Sequence, residues 1–219
     1  MIELAAPPPP DPLYALPAWF DLLAMAMNGF FGAAVARSRR VPIYGTLLAG
    51  ILVGLGGGMT RDVLLGLEPV AISAWYYIPG VIVASIIGAL TFHKVVGWDL
   101  GFLIAQGVTL GFLVTIGAQK ALSYEAPVIS VIFLGVITAS AGGMVADMMT
   151  GHAATVASQA HWVASALVVG TTVFWALTVY VNFWLAVGVC VLIVTGLRVL
   201  SVKLDWPSPE WPKESVKPA

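Results

Sequence analysis

The chain has 219 residues, of which 59% are hydrophobic and 10% are charged, and its formal net charge is −1. A soluble domain carries about 25% charged residues, so this composition excludes a soluble globular protein and indicates an integral membrane protein. The net charge says nothing about nucleic acid, but the sequence has no basic stripe to bind it, so we expect no nucleic-acid partner.

Seven apolar segments follow one another along the chain. A bilayer core of about 30 Å needs about 20 apolar residues per helix, so each segment predicts one transmembrane span. The spans cover residues 15–36, 42–66, 76–93, 99–119, 126–150, 161–179 and 182–200. Residues 1–14 lack the basic start of a signal peptide, so we expect the first span to stay in the mature protein. Residues 201–219, rich in proline and charge, are predicted to form a disordered tail.

The chain contains an internal repeat with a constant offset. Residues 56–66 read GGGMTRDVLLG, and residues 141–151 read AGGMVADMMTG. The same offset joins Gly32 to Gly117, Pro42 to Pro127, Gly50 to Gly135 and Asp62 to Asp147. A repeat of this kind indicates a duplicated unit. It predicts two three-helix units, residues 15–98 and 99–180, followed by a seventh helix over 181–200.

The basic residues predict the orientation of these spans. In a seven-span arrangement eight of the ten fall on one side, which the positive-inside rule makes cytoplasmic. They are Arg37, Arg39, Arg40, Lys94, Arg198, Lys203, Lys213 and Lys217. The N-terminus is then outside and the tail is cytoplasmic. Because each unit has an odd number of spans, the two units are inverted, and the predicted fold is an all-α membrane protein with a 3+3 inverted repeat plus one helix.

Glycines mark matching positions in the second and fifth spans. Gly56, Gly57 and Gly58 correspond to the pair Gly142 and Gly143. A glycine inside a helix costs about 1 kcal/mol relative to alanine, so such runs have a structural purpose. We predict that both helices are broken there, which frees carbonyls that can replace part of a cation's hydration shell. Close helix packing through small residues, without a break, is the alternative.

Charged residues follow the glycines. Asp62 and Asp147 lie toward opposite ends of their spans, and ionisable groups inside spans usually mark an ion path. Arg61 precedes Asp62 as a candidate partner, whereas Ala146 leaves Asp147 without an adjacent base. Lys120, at the outer end of the fourth span, either reaches toward the interface or is a tethered cation that moves with voltage.

Signals for catalysis or metal binding are not found in the sequence. His93, His152 and His161 lack the spacing of metal ligands, and no nucleophile motif, phosphate loop or catalytic carboxylate pair is present. We therefore expect neither an enzyme nor a cofactor. Gly107 and Gly111 form a GxxxG spacing that predicts a helix contact on the fourth span.

The string GGGMTRDVLLG, running on into LEP, and the stretch WDLGFLIAQGVTLGFLVTIGAQKAL resemble the bacterial branch of the trimeric intracellular cation channel (TRIC) family. The resemblance covers about residues 15–200. It implies a homotrimer in the inner membrane, in which each protomer has its own pore for monovalent cations, chiefly potassium. It implies a pore along the glycine-rich second and fifth helices and gating by a basic residue on the fourth helix, here Lys120. Relatives often carry arginine where this chain has Ala146, so a gating role for Arg61 has no symmetric counterpart.

Two functions fit the sequence. The first is a potassium-permeable channel. The second is a secondary transporter of a small solute such as glycine, because inverted repeats fit both equally on physical grounds. A membrane scaffold without transport has no positive signal.

Overall fold

The computed structural model describes residues 16–96, 99–151 and 162–206. These residues form eight helices, seven of which are long and apolar enough to cross a membrane. The helices are α1 (Ala18–Ser38), α2 (Ile43–Leu64), α3 (Val70–Ser73), α4 (Tyr77–Val96), α5 (Asp99–Ser123), α6 (Val128–Met149), α7 (Val163–Tyr180) and α8 (Phe183–Lys203). The seven predicted spans are confirmed, and α8 extends past the predicted start of the tail at residue 201. The segment 1–14, residues 207–219, His152 and His161 lie outside the described residues.

Repeat-related residues begin and end α2 and α6. Pro42 and Pro127 precede the two helices with φ of −57° and −56°. Proline suits this position because its missing N–H would have no partner within the helix. Gly66 and Gly151 follow the helices at φ of 71° and 73°, a conformation that favours glycine. The duplicated sequence therefore encodes both the start and the stop of these two helices.

The two halves of the chain pack their helices in the same way. Helix α1 packs against α2 and α4, just as α5 packs against α6 and α7. Contacts of α2 with α6 and of α1 with α5 join the two units, and α8 packs against α5 and α7. This arrangement confirms the predicted fold class of seven membrane-spanning helices.

One detail of that prediction is wrong. Helices α2 and α6 remain α-helical through their glycines and are not broken. A Cβ atom added to Gly57 would overlap the carbonyl oxygen of Thr138 on α6, and one added to Gly142 would lie 2.5 Å from the carbonyl oxygen of Leu52 on α2. The glycines therefore bring the two backbones together, as in other close membrane-helix contacts.

The GxxxG spacing on α5 is used within the protomer. A Cβ on Gly107 would lie 3.0 Å from Cα of Thr195, and one on Gly111 would lie 2.8 Å from Cα of Val191. Both partners belong to α8, so these glycines seat the seventh span against the second unit.

Candidate functional site

Charged side chains meet at one membrane face, where α2 and α5 end and α1 and α4 begin. We call this group, formed by Asp21, Arg61, Asp62, Tyr77 and Lys120, the Lys120 cluster. Asp62 Oδ1 lies 2.8 Å from Arg61 Nε and 2.8 Å from Lys120 Nζ. Its Oδ2 accepts a hydrogen bond of 3.0 Å from the backbone N–H of Val70. One carboxylate thus joins α2, α5 and the short helix α3.

Asp21 completes the charge balance of the cluster. Its Oδ1 lies 3.4 Å from Arg61 Nη1, and its Oδ2 accepts a hydrogen bond of 3.2 Å from the Tyr77 hydroxyl. Two basic and two acidic side chains therefore compensate each other. The sequence patterns pointed to Asp62 and Asp147 as the acidic site residues and did not identify Asp21. Its position within the first predicted span was the signal that could have identified it.

Lys120 is paired within the helix bundle. Its ammonium is held by Asp62, and its side chain is 19% exposed. Arg61 is almost fully buried, and its Nη2 has no hydrogen-bond partner. Lys120 therefore has a carboxylate partner inside the bundle, and both interpretations of its role remain predictions.

A second ion pair lies at the other membrane face, where both α1 and α6 end. Arg39 Nη1 is 2.7 Å from Asp147 Oδ1. The sequence placed no base beside Asp147, and the structure supplies one from the segment that follows α1. Each repeat aspartate is therefore held by a base from the other repeat, Asp62 by Lys120 and Asp147 by Arg39.

A cavity of about 120 Å³ adjoins this second pair. We call it the Arg39 cavity. Its polar side chains come from α1, α5, α6, α8 and the segments that follow α1 and α6: Asn28, Arg39, Gln106, Ser140, Asp147, Thr150 and Arg198. Gly143 also lines the cavity, and no atom lies within 4 Å of where its Cβ would be. The cavity therefore opens onto the interface between the two repeats.

The tight crossing of α2 and α6 lies between the Arg39 cavity and the Lys120 cluster. Along α2, Gly57 lies between Val53, which lines the cavity, and Asp62. The described lining of the cavity includes no member of the Lys120 cluster. The predicted site glycines thus divide into two groups: Gly56, Gly57, Gly58 and Gly142 pack tightly, whereas Gly143 faces open space.

Arg198 is the second basic residue of the Arg39 cavity. Its Nη2 donates a hydrogen bond of 2.5 Å to Gln106 Oε1, and its Nε is buried without a partner. The positive-inside rule placed Arg198 among the cytoplasmic basic residues. The structure places it inside α8, facing α5, so it belongs to the site.

A family model described as glycine transporter matches residues 18–93 and 103–179. The chain belongs to this family. The starts of the two matched segments, residues 18 and 103, are separated by the same offset as the internal repeat that joins Asp62 to Asp147. The family comparison thus recovers the duplication independently.

Relatives in this family are membrane proteins. The chain is 31% identical over 138 residues to the inner membrane protein YadS of Escherichia coli K12, covering 60% of this chain and 64% of that protein. It is 29% identical over 206 residues to the membrane protein YvgT of Bacillus subtilis 168, covering 88% and 96%. The match therefore spans just under two thirds of the E. coli protein and nearly all of the B. subtilis protein.

Solved structures confirm the resemblance to the TRIC family. One TRIC cation channel structure aligns with a TM-score of 0.80 and 25% identity, covering 92% of this chain and 100% of that chain. The TRIC orthologue of Rhodobacter sphaeroides aligns with a TM-score of 0.76 and 24% identity, covering 85% and 97%. The chain has the fold of a multi-pass TRIC channel.

Proposed function

We propose that this protein is a monovalent-cation channel, chiefly for potassium, with a pore in each protomer of a homotrimer. The observation that carries the proposal is the placement of Asp62 and Asp147 at opposite ends of the repeat interface, each held by a base of the other repeat. The likeness to a TRIC cation channel at 25% identity supports it. The path would run from the Arg39 cavity, past the α2–α6 crossing, to the Lys120 cluster.

Lys120 would gate this path in part. While the Lys120 ammonium is bound to Asp62, it occupies the carboxylate oxygen that a permeating cation would otherwise contact. A charge that crosses the full membrane field gains about 2.3 kcal/mol per 100 mV, which is enough to shift a two-state gate. Movement of Lys120 would vacate one contact on Asp62 Oδ1 for a cation, while Arg61 keeps the carboxylate in position.

The proposed setting is the inner membrane, with the N-terminus outside and the C-terminus in the cytoplasm. The concentration of basic residues at one side supports this orientation. The E. coli relative named as an inner membrane protein supports the location, and the trimeric R. sphaeroides orthologue supports the assembly. The Arg39 cavity would then face the cytoplasm.

The second candidate function is transport of glycine or a similar small solute. The description of the family model favours it, and a cavity lined by residues of both repeats is where transporters of this architecture bind their substrates. The purified chain in liposomes separates the two functions. A channel predicts potassium efflux that is fast, does not saturate and is independent of glycine, whereas a transporter predicts saturable glycine uptake with little potassium flux.

Neutral variants of the aspartates test the site in the same assay. Asp62→Asn combined with Asp147→Asn is expected to change the potassium flux at least severalfold, because both proposed ends of the path lose their charge. An unchanged flux in a folded double variant would contradict the proposed path. Absence of both fluxes in the folded wild type would favour a scaffold.

A further inference from the structure

Arg198 carries a positive charge that no carboxylate in the described chain balances. Among the described residues, its guanidinium donates a hydrogen bond to the neutral amide of Gln106, forms no salt bridge, and has a buried Nε without a hydrogen-bond partner. Arginine inside a membrane span is costly and is normally paired. An arginine in this position is therefore available to bind an anion from outside the described residues.

The internal repeat shows what kind of partner is missing. In the first unit Arg61 lies between two carboxylates, Asp21 and Asp62. At the offset of the repeat, the counterpart of Asp21 is Gln106, and the counterpart of Arg61 is Ala146. Helix α8 thus supplies the arginine that the second unit lacks, and it points at the residue that replaces the carboxylate.

The surrounding cavity has room for a ligand and the matching charge. Its charged lining residues in the described chain are Arg39, Arg198 and Asp147, two positive and one negative, so this described lining has an excess positive charge. Asp147 is engaged by Arg39 at 2.7 Å. A guanidinium binds carboxylates well because its parallel N–H groups match their two oxygens.

We infer that the Arg39 cavity binds a small monocarboxylate, whose oxygens accept hydrogen bonds from Arg198. The ligand takes the place that Asp21 has beside Arg61 in the first unit. This site does not rest on ion conduction. Its occupancy neutralises the cavity, so a permeating cation meets a less repulsive entrance when the carboxylate is bound.

Thermal unfolding of the purified full-length chain tests the site. Sodium acetate replaces sodium chloride at constant ionic strength, and glycine and methylamine hydrochloride are added separately. A ligand that binds only the folded state raises the unfolding midpoint, and above its Kd the stabilisation grows with the logarithm of the ligand concentration. We expect acetate and glycine to raise it, and chloride and methylammonium to leave it unchanged.

Three variants locate the effect. Arg198→Gln is expected to lose the acetate response, while Lys203→Gln, the same charge change on an exposed residue of α8, keeps it. Gln106→Glu supplies the missing carboxylate within the chain. It is expected to raise the midpoint without acetate and to weaken acetate binding at least tenfold. This variant decides the question even where Arg198→Gln fails to fold.

Two results would overturn the inference. One is a wild-type midpoint that responds equally to acetate and chloride, or to neither. The other is an acetate response that survives unchanged in Gln106→Glu. Both are distinct from a failure of the channel proposal, which is measured by ion flux.

Discussion

Asp62 and Asp147 are equivalent in the repeat but have unequal surroundings. The Asp62 side chain is 1% exposed and is bound by both Arg61 and Lys120. The Asp147 side chain is 13% exposed, and its partner Arg39 is 31% exposed. Burial strengthens the dependence of a charge on its partners, so the two aspartates should differ in their effect on stability.

The first prediction compares neutral variants of these two residues. Asp62→Asn leaves two basic side chains short of a partner in a buried site and is expected to cost about 3–5 kcal/mol. Asp147→Asn disrupts a partly exposed pair and is expected to cost about 1 kcal/mol or less. Chemical or thermal unfolding in detergent measures both. Equal losses would contradict the described burial of the two pairs.

The second prediction concerns Lys120. Lys120→Gln removes the cation that holds Asp62 and is expected to change the open probability and its voltage dependence more than the unitary conductance. Lys94→Gln, the same change on an exposed residue of α4, serves as the control. Single-channel recordings in planar bilayers provide the measurement. A gating curve identical to that of the control would mean that Lys120 has only a structural role.

The repeat identified Asp62 and Asp147 from sequence, but it could not identify all of their partners. Arg39 and Asp147 are 108 residues apart, and Lys120 and Asp62 are 58 apart. No local pattern links such residues, because their contacts depend on how the two units pack. Arg198 was overlooked for a related reason, since a basic residue near the end of a span also fits the positive-inside rule.

At the level of the helices, the glycines of α2 and α6 have two different purposes. Gly57 and Gly142 permit close approach of the two backbones, whereas Gly143 leaves space in the Arg39 cavity. A glycine run in the sequence is compatible with a break, a close contact or a cavity wall. Only the position of the neighbouring helix distinguishes these cases.

The third prediction uses this difference. A methyl group at Gly57 would overlap the Thr138 carbonyl, and such overpacking costs about 1–3 kcal/mol. At Gly143 the methyl group meets no atom, and alanine gains about 1 kcal/mol in helix propensity. Gly57→Ala should therefore lower the unfolding midpoint, and Gly143→Ala should preserve or raise it.

Conductance provides a second measurement on the same pair. Gly143→Ala narrows the Arg39 cavity and is expected to reduce the unitary current without loss of folded protein. Greater destabilisation by Gly143→Ala than by Gly57→Ala would contradict the described packing of α2 on α6.

For the molecule as a whole, the sequence predicted the fold class well. Long apolar segments indicate membrane spans almost directly, and the odd number of spans per repeat requires inversion. The sequence did not predict that the helices continue through their glycines, nor that α8 contributes to the site. Both depend on contacts between helices that are distant in sequence, including the packing of Gly107 and Gly111 on α8.

The fourth prediction tests the orientation of the chain. Cysteine is introduced singly at Glu68 or Lys203, both exposed, and a membrane-impermeant maleimide is applied to intact cells. Residue 68 should be labelled from outside, and residue 203 only after the membrane is permeabilised. The native Cys190 is buried and should give little background. The reverse labelling pattern would place the Arg39 cavity on the outer face.

The reversal potential of the purified wild-type protein in a planar bilayer tests the central claim most directly. Under a potassium chloride gradient, a cation channel predicts unitary currents that reverse close to the potassium equilibrium potential. Currents that reverse near the chloride potential, or saturable glycine uptake by folded trimers without any unitary current, would contradict a cation path between Asp147 and Asp62.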